Sequence, residues 1–336
     1  MMDNKGGKTM HYEPLRPNRM YGSPEPYEFT HGDGSVCVYD RKTLDFVKEI
    51  KVGTKPDCHA VSGDGRYLYI ACFEGLYCIG IKSLEVEKIV DTGKIYATNV
   101  LPDGNTLLVH DLEGGVQVIE NINDMEKIRV AFRTQVLPER KFRSEIGGKG
   151  NFIDKDRFYL CAGWRSAKLY LLDAANNFEP SIFIDYDERL SGSDDLVLSH
   201  DKKRAYTACH RGNENRAYVA VIDVEKCEIL KLIPTGVGSC GLTMTCDERY
   251  VIASNDGDDS ISVIDTVTDE VVNTPCAREG FEKLGITGYI QGISCDTDDS
   301  IYVYGCYGNG AIVRFMDIVN SNSYEISYPT EKYSSK

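Results

Sequence analysis

Asp57, Tyr96, Asp194, Cys240 and Tyr289 recur at one place in a repeating sequence. Each stands seven residues ahead of an acid in a turn: Asp64, Asp103, Asp201, Asp247 and Asp296. His59, Gln291 and Lys149 lie within two positions of the same place. Acids, a base, a thiol and phenols held together in a half-buried cleft perturb one another's pKa values and support proton transfer. Asp57, Tyr96, Lys149, Asp194 and Tyr289 are therefore the expected acid–base set. The plainer alternative is a polar channel lined for solvation alone.

A second set occupies the loops between repeat halves. These read Cys72-Phe73-Glu74, Ala162-Gly163-Trp164-Arg165, Cys209-His210-Arg211, Ser254-Asn255-Asp256 and Cys306-Tyr307-Gly308. Aromatic and Arg side chains at matching positions suit planar or anionic ligands, through stacking and forked hydrogen bonds. The expected ligand-binding residues are His59, Arg143, Trp164, Arg165, His210, Arg211, Gln291 and Tyr307. Arg143 belongs to a stretch, Arg133–Gly150, that also carries Arg133, Arg140, Lys141 and Lys149. In a chain of net charge −14, such a local positive island concentrates a small anion.

Metal and nucleophile motifs are absent. There is no C-x-x-C, no H-x-x-x-H, no G-x-S-x-G and no P-loop, so no metal and no cofactor is expected. Gly238-Ser239-Cys240-Gly241 lies at a strand start with no helix after it, unlike a nucleophile elbow. The histidines are scattered at 11, 31, 59, 110, 200 and 210. His31, His110 and His210 each follow the same kind of strand and are expected near one rim, with His110 and His210 one residue out of register.

The elements that must position these residues are themselves repeats. Val36–Asp40, Val116–Glu120, Leu169–Asp173, Val219–Asp223 and Ile261–Asp265 are versions of one alternating strand ending in an acid, with weaker copies ending at Gly80 and Asp317. The steps between these ends are 40, 40, 53, 50, 42 and 52 residues. A strand-built period of this size signals a β-propeller. The other half of each unit is a hairpin around Gly63-Asp64-Gly65 or its parallels, where Gly accepts positive φ. Seven copies of the first half and six of the second predict seven four-stranded antiparallel blades. The N-terminal strand Pro26–Thr30 and the C-terminal hairpin, residues 311–328, are expected to share one blade and close the ring, which leaves no long exposed edge. Residues 1–25 and 330–336 flank a propeller at 26–329.

Val52-Gly53-Thr54-Lys55-Pro56 followed by Ser62-Gly63-Asp64-Gly65-Arg66-Tyr67-Leu68-Tyr69-Ile70-Ala71 resembles the YVTN-repeat propellers, and Ile233–Gly238 and Val263–Thr268 fit the same unit. The resemblance spans about residues 27–328. It implies the fold and leaves function open, because such propellers include binding proteins, dehydrogenase subunits and lactonase-like or lyase-like enzymes. Cys72, Cys209 and Cys306 stand where the family's final Asn would sit.

The acidic balance disfavours phosphate-backbone binding and anionic membrane surfaces. No apolar run reaches 18 residues, and residues 1–10 lack an apolar signal core. Most of the 12 cysteines fall inside strand patterns, which fits reduced thiols in a cytoplasmic monomer. Two functions follow: a propeller binding a small ligand or partner protein at its channel mouth, or a small-molecule lyase, isomerase or lactonase acting there.

Overall fold

The computed structural model describes residues 26–101, 103–112, 115–135, 150–154, 157–162, 168–185, 191–211, 217–286, 289–295, 301–306 and 310–329. They form a β-propeller: seven antiparallel sheets, each laid down in chain order, with one short α-helix among the described residues. The first sheet is β1 (Tyr27–Gly32), β2 (Ser35–Asp40) and β3 (Phe46–Lys51). The second is β4 (His59–Val61), β5 (Tyr67–Cys72), β6 (Gly75–Gly80) and β7 (Glu85–Val90). The third is β8 (Ile95–Val100), β9 (Thr106–Asp111), β10 (Gly115–Glu120) and β11 (Arg129–Gln135). The fourth is β12 (Gly150–Phe152), β13 (Phe158–Ala162), β14 (Lys168–Asp173) and β15 (Glu179–Asp185). The fifth is β16 (Ser191–Leu198), β17 (Arg204–Arg211), β18 (Tyr218–Asp223) and β19 (Glu228–Pro234). The sixth is β20 (Ser239–Met244), β21 (Tyr250–Asn255), β22 (Ser260–Asp265) and β23 (Glu270–Asn273). Helix α1 (Arg278–Leu284) precedes the seventh, β24 (Tyr289–Cys295), β25 (Ile301–Cys306), β26 (Ile312–Phe315) and β27 (Tyr324–Ser327).

The strand faces explain the ring. Side chains alternate across a strand, and in β5 Leu68 and Ile70 pack toward the first sheet while Tyr69 and Ala71 pack toward the third. In β17, Ala205 and Cys209 face the fourth sheet, whereas Tyr206 and Ala208 face the sixth. Both faces being buried, each sheet needs two neighbours. One apolar cluster joins each successive pair of sheets. Cys37, Tyr39 and Ile312 form the cluster that joins the seventh sheet to the first. First strands of neighbouring sheets touch, β4 with β8, β12 with β16, β16 with β20 and β20 with β24, so the first strands line the centre.

Closure differs from the sequence expectation. The hairpin β26–β27 pairs with β25 inside its own four-stranded sheet, and β1 pairs with β2. Among the described residues the two ends therefore do not share a sheet. The second to seventh sheets each start with an inner strand and end with an outer one, so the last repeat completes itself. The first sheet has three strands among the described residues. Tyr27 pairs with Asp40 as Tyr67 does with Gly80, so β1 is the counterpart of β5, the second strand. Side-chain contacts bridge the closing junction: Thr30 Oγ1 donates to Gly310 O at 2.8 Å, and Arg314 donates to Arg41 O and Lys42 O.

A recurrent cross-link supports the outer rim. Lys48, Lys88 and Lys231 sit opposite Val38, Cys78 and Val221, at one register position of the outer strands. Each donates to a turn carbonyl of the following sheet, Leu84 O at 2.9 Å, Met125 O at 2.6 Å and Thr268 O at 3.3 Å. Asn273 takes the position in the sixth sheet and donates to Ile318 O at 2.7 Å. Phe132 takes it in the third and stacks on Phe178, with ring centroids 6.2 Å apart.

On the inner side the β4–β5 and β8–β9 turns meet through backbone. Gly63 N donates to Gly104 O at 2.9 Å, and a Cβ on Gly63 would lie 2.3 Å from that oxygen. Gly63→Ala is expected to cost about 1–3 kcal/mol, because neither backbone can yield without losing the bond. Urea unfolding checks it, and a cost below about 0.5 kcal/mol would count against a tight turn–turn contact.

Candidate functional site

One face of the ring carries the starts of the inner strands and the ends of the second strands. Almost every inner strand is bulged there. Pairing slips at Ile95/Ala97 in β8, Ser193/Leu196 in β16, Ser239/Gly241 in β20 and Ile290/Gly292 in β24. Before β4 the same geometry holds: Asp57 N donates to Ala71 O, and Ala71 N donates to Cys58 O. Two residues thus oppose one: Asp57-Cys58 on Ala71, Tyr96-Ala97 on His110, Asp194-Asp195 on Ala208, Cys240-Gly241 on Ser254, and Ile290-Gln291 on Gly305. A bulge inserts an unpaired residue and re-aims its side chain.

This register places the sequence-derived residues. Asp57, Tyr96, Asp194 and Cys240 hold the first bulge position. Tyr289 stands one residue earlier, and Ile290 occupies the shared position; the spacing to Asp296 hides a different strand offset. Gln291 holds the second bulge position, and His59 follows the bulge. The backbone of Tyr96, Asp194, Arg211, Tyr289 and Gln291 is described and their side chains are not. Lys149, Arg143, Trp164, Arg165 and Tyr307 lie outside the described residues.

Asp57 is half-buried. His59 is buried, and its Nδ1 lies 3.0 Å from Nε2 of His31 across the junction of the first and second sheets. The rings meet edge to face, 5.1 Å between centroids. Desolvation lowers the His31 pKa to about 3, so His31 is neutral at pH 7. Asp195, sequence reasoning's main omission, is 1% exposed. Its Oδ2 accepts from Leu242 N at 3.0 Å in the next sheet, and its Oδ1 from Leu196 N at 2.8 Å. Cys240 is buried with Sγ 3.5 Å from Ser254 Oγ, and Gly241 N donates to the same hydroxyl at 3.0 Å. The thiol is seated in the sheet rather than presented as a nucleophile.

His210 stands on the rim. Its Nε2 lies 3.2 and 3.1 Å from the two carboxylate oxygens of Asp256. His31 and His110 share one register position, opposite the bulge, but His210 is two residues beyond it rather than one. Asp256 was foreshadowed only by position: six residues past the first residue of β5, β9, β17 and β21 stand Phe73, Leu112, His210 and Asp256. The same count from β13 and β25 reaches Trp164 and Tyr307. Phe73 carries the Lys55 ammonium over its ring, 5.0 Å from the centroid. Among the described residues no group of three or more His, Cys, Asp or Glu side chains is placed to hold a metal ion. No two described cysteines are joined by a disulfide. Burial pushes the Cys72 thiol up to about 12, so it stays protonated.

These features define a β-propeller whose mouth is ringed by bulged inner strands and a row of rim side chains. No protein-family model matches the sequence, and no curated protein matches it. Among solved structures the chain is similar to hydrazine synthase of Kuenenia stuttgartiensis, with a TM-score of 0.67 and 15% identity over 96% of this chain and 99% of that chain. In all, 1461 chains of solved structures match, so the likeness identifies a widely used fold and carries no activity with it. No helix among the described residues is long and apolar enough to cross a membrane.

Proposed function

We propose that the chain is a seven-bladed propeller, residues 26–329, that binds a small planar anion at the mouth of its channel. The observation that carries this reading is the rim count. Six residues on from the first residue of the second strand stand Phe73 and His210 among the described residues, and by count in the sequence alone Trp164 and Tyr307. Aromatic and imidazole groups recurring at one position of the repeat offer flat faces to a planar ligand. Lys55 over Phe73 brings positive charge to the same rim, and the basic stretch from Arg133 to Gly150 starts there. Arg143, Arg165, Arg211 and Gln291 complete the proposed contact set, and His59, buried against His31, is left out of it. The acid-rich remainder of the chain disfavours nucleic acid as the occupant.

Trp164 is the sole tryptophan, so its fluorescence tests whether a ligand binds beside it. Benzoate is expected to shift or quench the emission saturably, and Tyr307→Ala to weaken that response at least several-fold. Emission unchanged up to millimolar benzoate and nicotinate would remove the planar-anion reading. A response equal in Tyr307→Ala would move the site off this ring.

A further inference from the structure

We propose that His210 and Asp256 form a proton-transfer dyad at the mouth, with His210 as its acid–base group; this rests on the small-ligand reading of the same rim. The two residues hold one register position on adjacent sheets, so the ring sets them side by side. The imidazole Nε2 contacts both Asp256 oxygens at 3.1–3.2 Å. A carboxylate in that place holds the Nε2–H tautomer, orients the ring and stabilises the imidazolium once a proton is taken at Nδ1. The carboxylate is itself positioned by backbone. Asp256 N donates to Gly238 O at 3.0 Å, and Gly238 has φ +73 and approaches so closely that a Cβ there would lie 2.0 Å from Asp256 Oδ1.

The rim's other described ion pairs are built differently. Asp111 takes Arg133 and Asp259 takes Arg278, with acids 1% and 9% exposed and guanidinium groups that cannot release a proton. His210 and Asp256 are 31% and 18% exposed, and imidazole exchanges a proton near neutral pH. The remaining described histidines are unsuited: His31, His59 and His110 are buried, and His200 lies on the opposite face beside Glu248. Of the charged groups, Asp256 contacts His210; Asp258 shares its β21–β22 turn, Asp194 and Asp195 lie in the bulge of β16, which pairs with β17, and Arg211 follows His210 in the sequence. The dyad would take a proton from an acidic C–H of the bound anion and return it at another atom of the same molecule, the balanced step of an isomerase.

Diethyl pyrocarbonate, read histidine by histidine by mass spectrometry on the full chain, tests this. His210 is expected to react at least tenfold faster than His31, His59 and His110 at pH 7, and benzoate to protect it. Asp256→Asn should move the pH midpoint of its reaction downward, because the carboxylate favours the protonated ring, with the urea midpoint little changed. Reaction as slow as at the buried histidines, or an Asp256→Asn profile that does not move, would overturn the dyad and leave a structural latch. Benzoate that quenches Trp164 without protecting His210 would overturn the dyad while the binding reading stands. A moving pH profile without any benzoate response supports the dyad and counts against the planar-anion ligand alone.

Discussion

Acidification from pH 7 to pH 4 is expected to cost the native state about 3 kcal/mol through His31 alone. Burial holds the folded-state pKa of His31 at about 3, against 6.5 for the ordinary value. The unfolded chain therefore takes up a proton near pH 6.5 that the folded chain refuses until about pH 3. Stability is full above pH 6.5 and falls as pH drops through that window, by about 1.4 kcal/mol per unit for one proton. The loss levels off below the folded pKa, at roughly 5 kcal/mol. Between pH 6.5 and 4.5 the hydrogen-bonded carboxylates Asp64, Asp201, Asp247 and Glu74, all held below their usual range by hydroxyl, amide or cationic partners, stay ionised. The slope in that window is thus a histidine slope. Urea midpoints at pH 7, 5.5 and 4.5, compared with His31→Gln, give the answer. Gln can still hydrogen-bond His59 but binds no proton, so its slope should be shallower by nearly one proton. Parallel slopes in the two proteins would show that His31 titrates normally.

The repeat was legible because its signals are local. Where an Asp closes the third strand it is a turn residue: Asp40 Oδ1 accepts from Lys42 N and Thr43 N, and Asp265 Oδ1 from Val267 N and Thr268 N. Such a turn needs an Asx side chain within three residues, so it is written wherever it forms. The phase of the sheets is not local. A strand reads the same whether the hairpin before or after it belongs to its sheet, which is why the closing junction was expected to be a shared blade. The bulges left no trace in composition, and one of them set Tyr289 a residue out of place. The pairing of His31 with His59 was equally hidden, since the partners lie 28 residues apart and meet only when two sheets pack.

The bulges also account for where individuality enters the repeat. Residues that pair on both sides of a strand are held to apolar types by the clusters between sheets. A bulged residue is released from the ladder, so its type is free to differ from sheet to sheet. That freedom appears as Asp57, Tyr96, Asp194, Cys240 and Ile290 at a single register position, and as Cys58, Ala97, Asp195, Gly241 and Gln291 at the next.

Asp195→Ala is expected to destabilise the chain by about 2–5 kcal/mol and Asp195→Asn by less than half as much. The carboxylate is buried and accepts the amide N–H of Leu196 in its own bulge and of Leu242 in the next inner strand. Truncation leaves two N–H groups without their acceptor, each worth about 1–3 kcal/mol when buried, and the lost bonds are charge-assisted. Asn keeps a carbonyl oxygen for one of the two. Leu242 also packs in the cluster between the fifth and sixth sheets, so the loss falls on a junction rather than on a free strand. Urea unfolding gives the magnitude, and amide hydrogen exchange gives the place: the Leu242 amide should exchange faster in Asp195→Ala than in the wild type, with the β5 and β6 amides across the ring unchanged. An Ala variant within about 0.5 kcal/mol of wild type, or exchange that rises evenly around the ring, would show that the fifth and sixth sheets are held by their apolar cluster alone. If the local rise is found, Asp194 in the same bulge is held by a strand pinned to its neighbour. Asp195 would then be the residue that keeps the fifth sheet's contribution to the mouth in place.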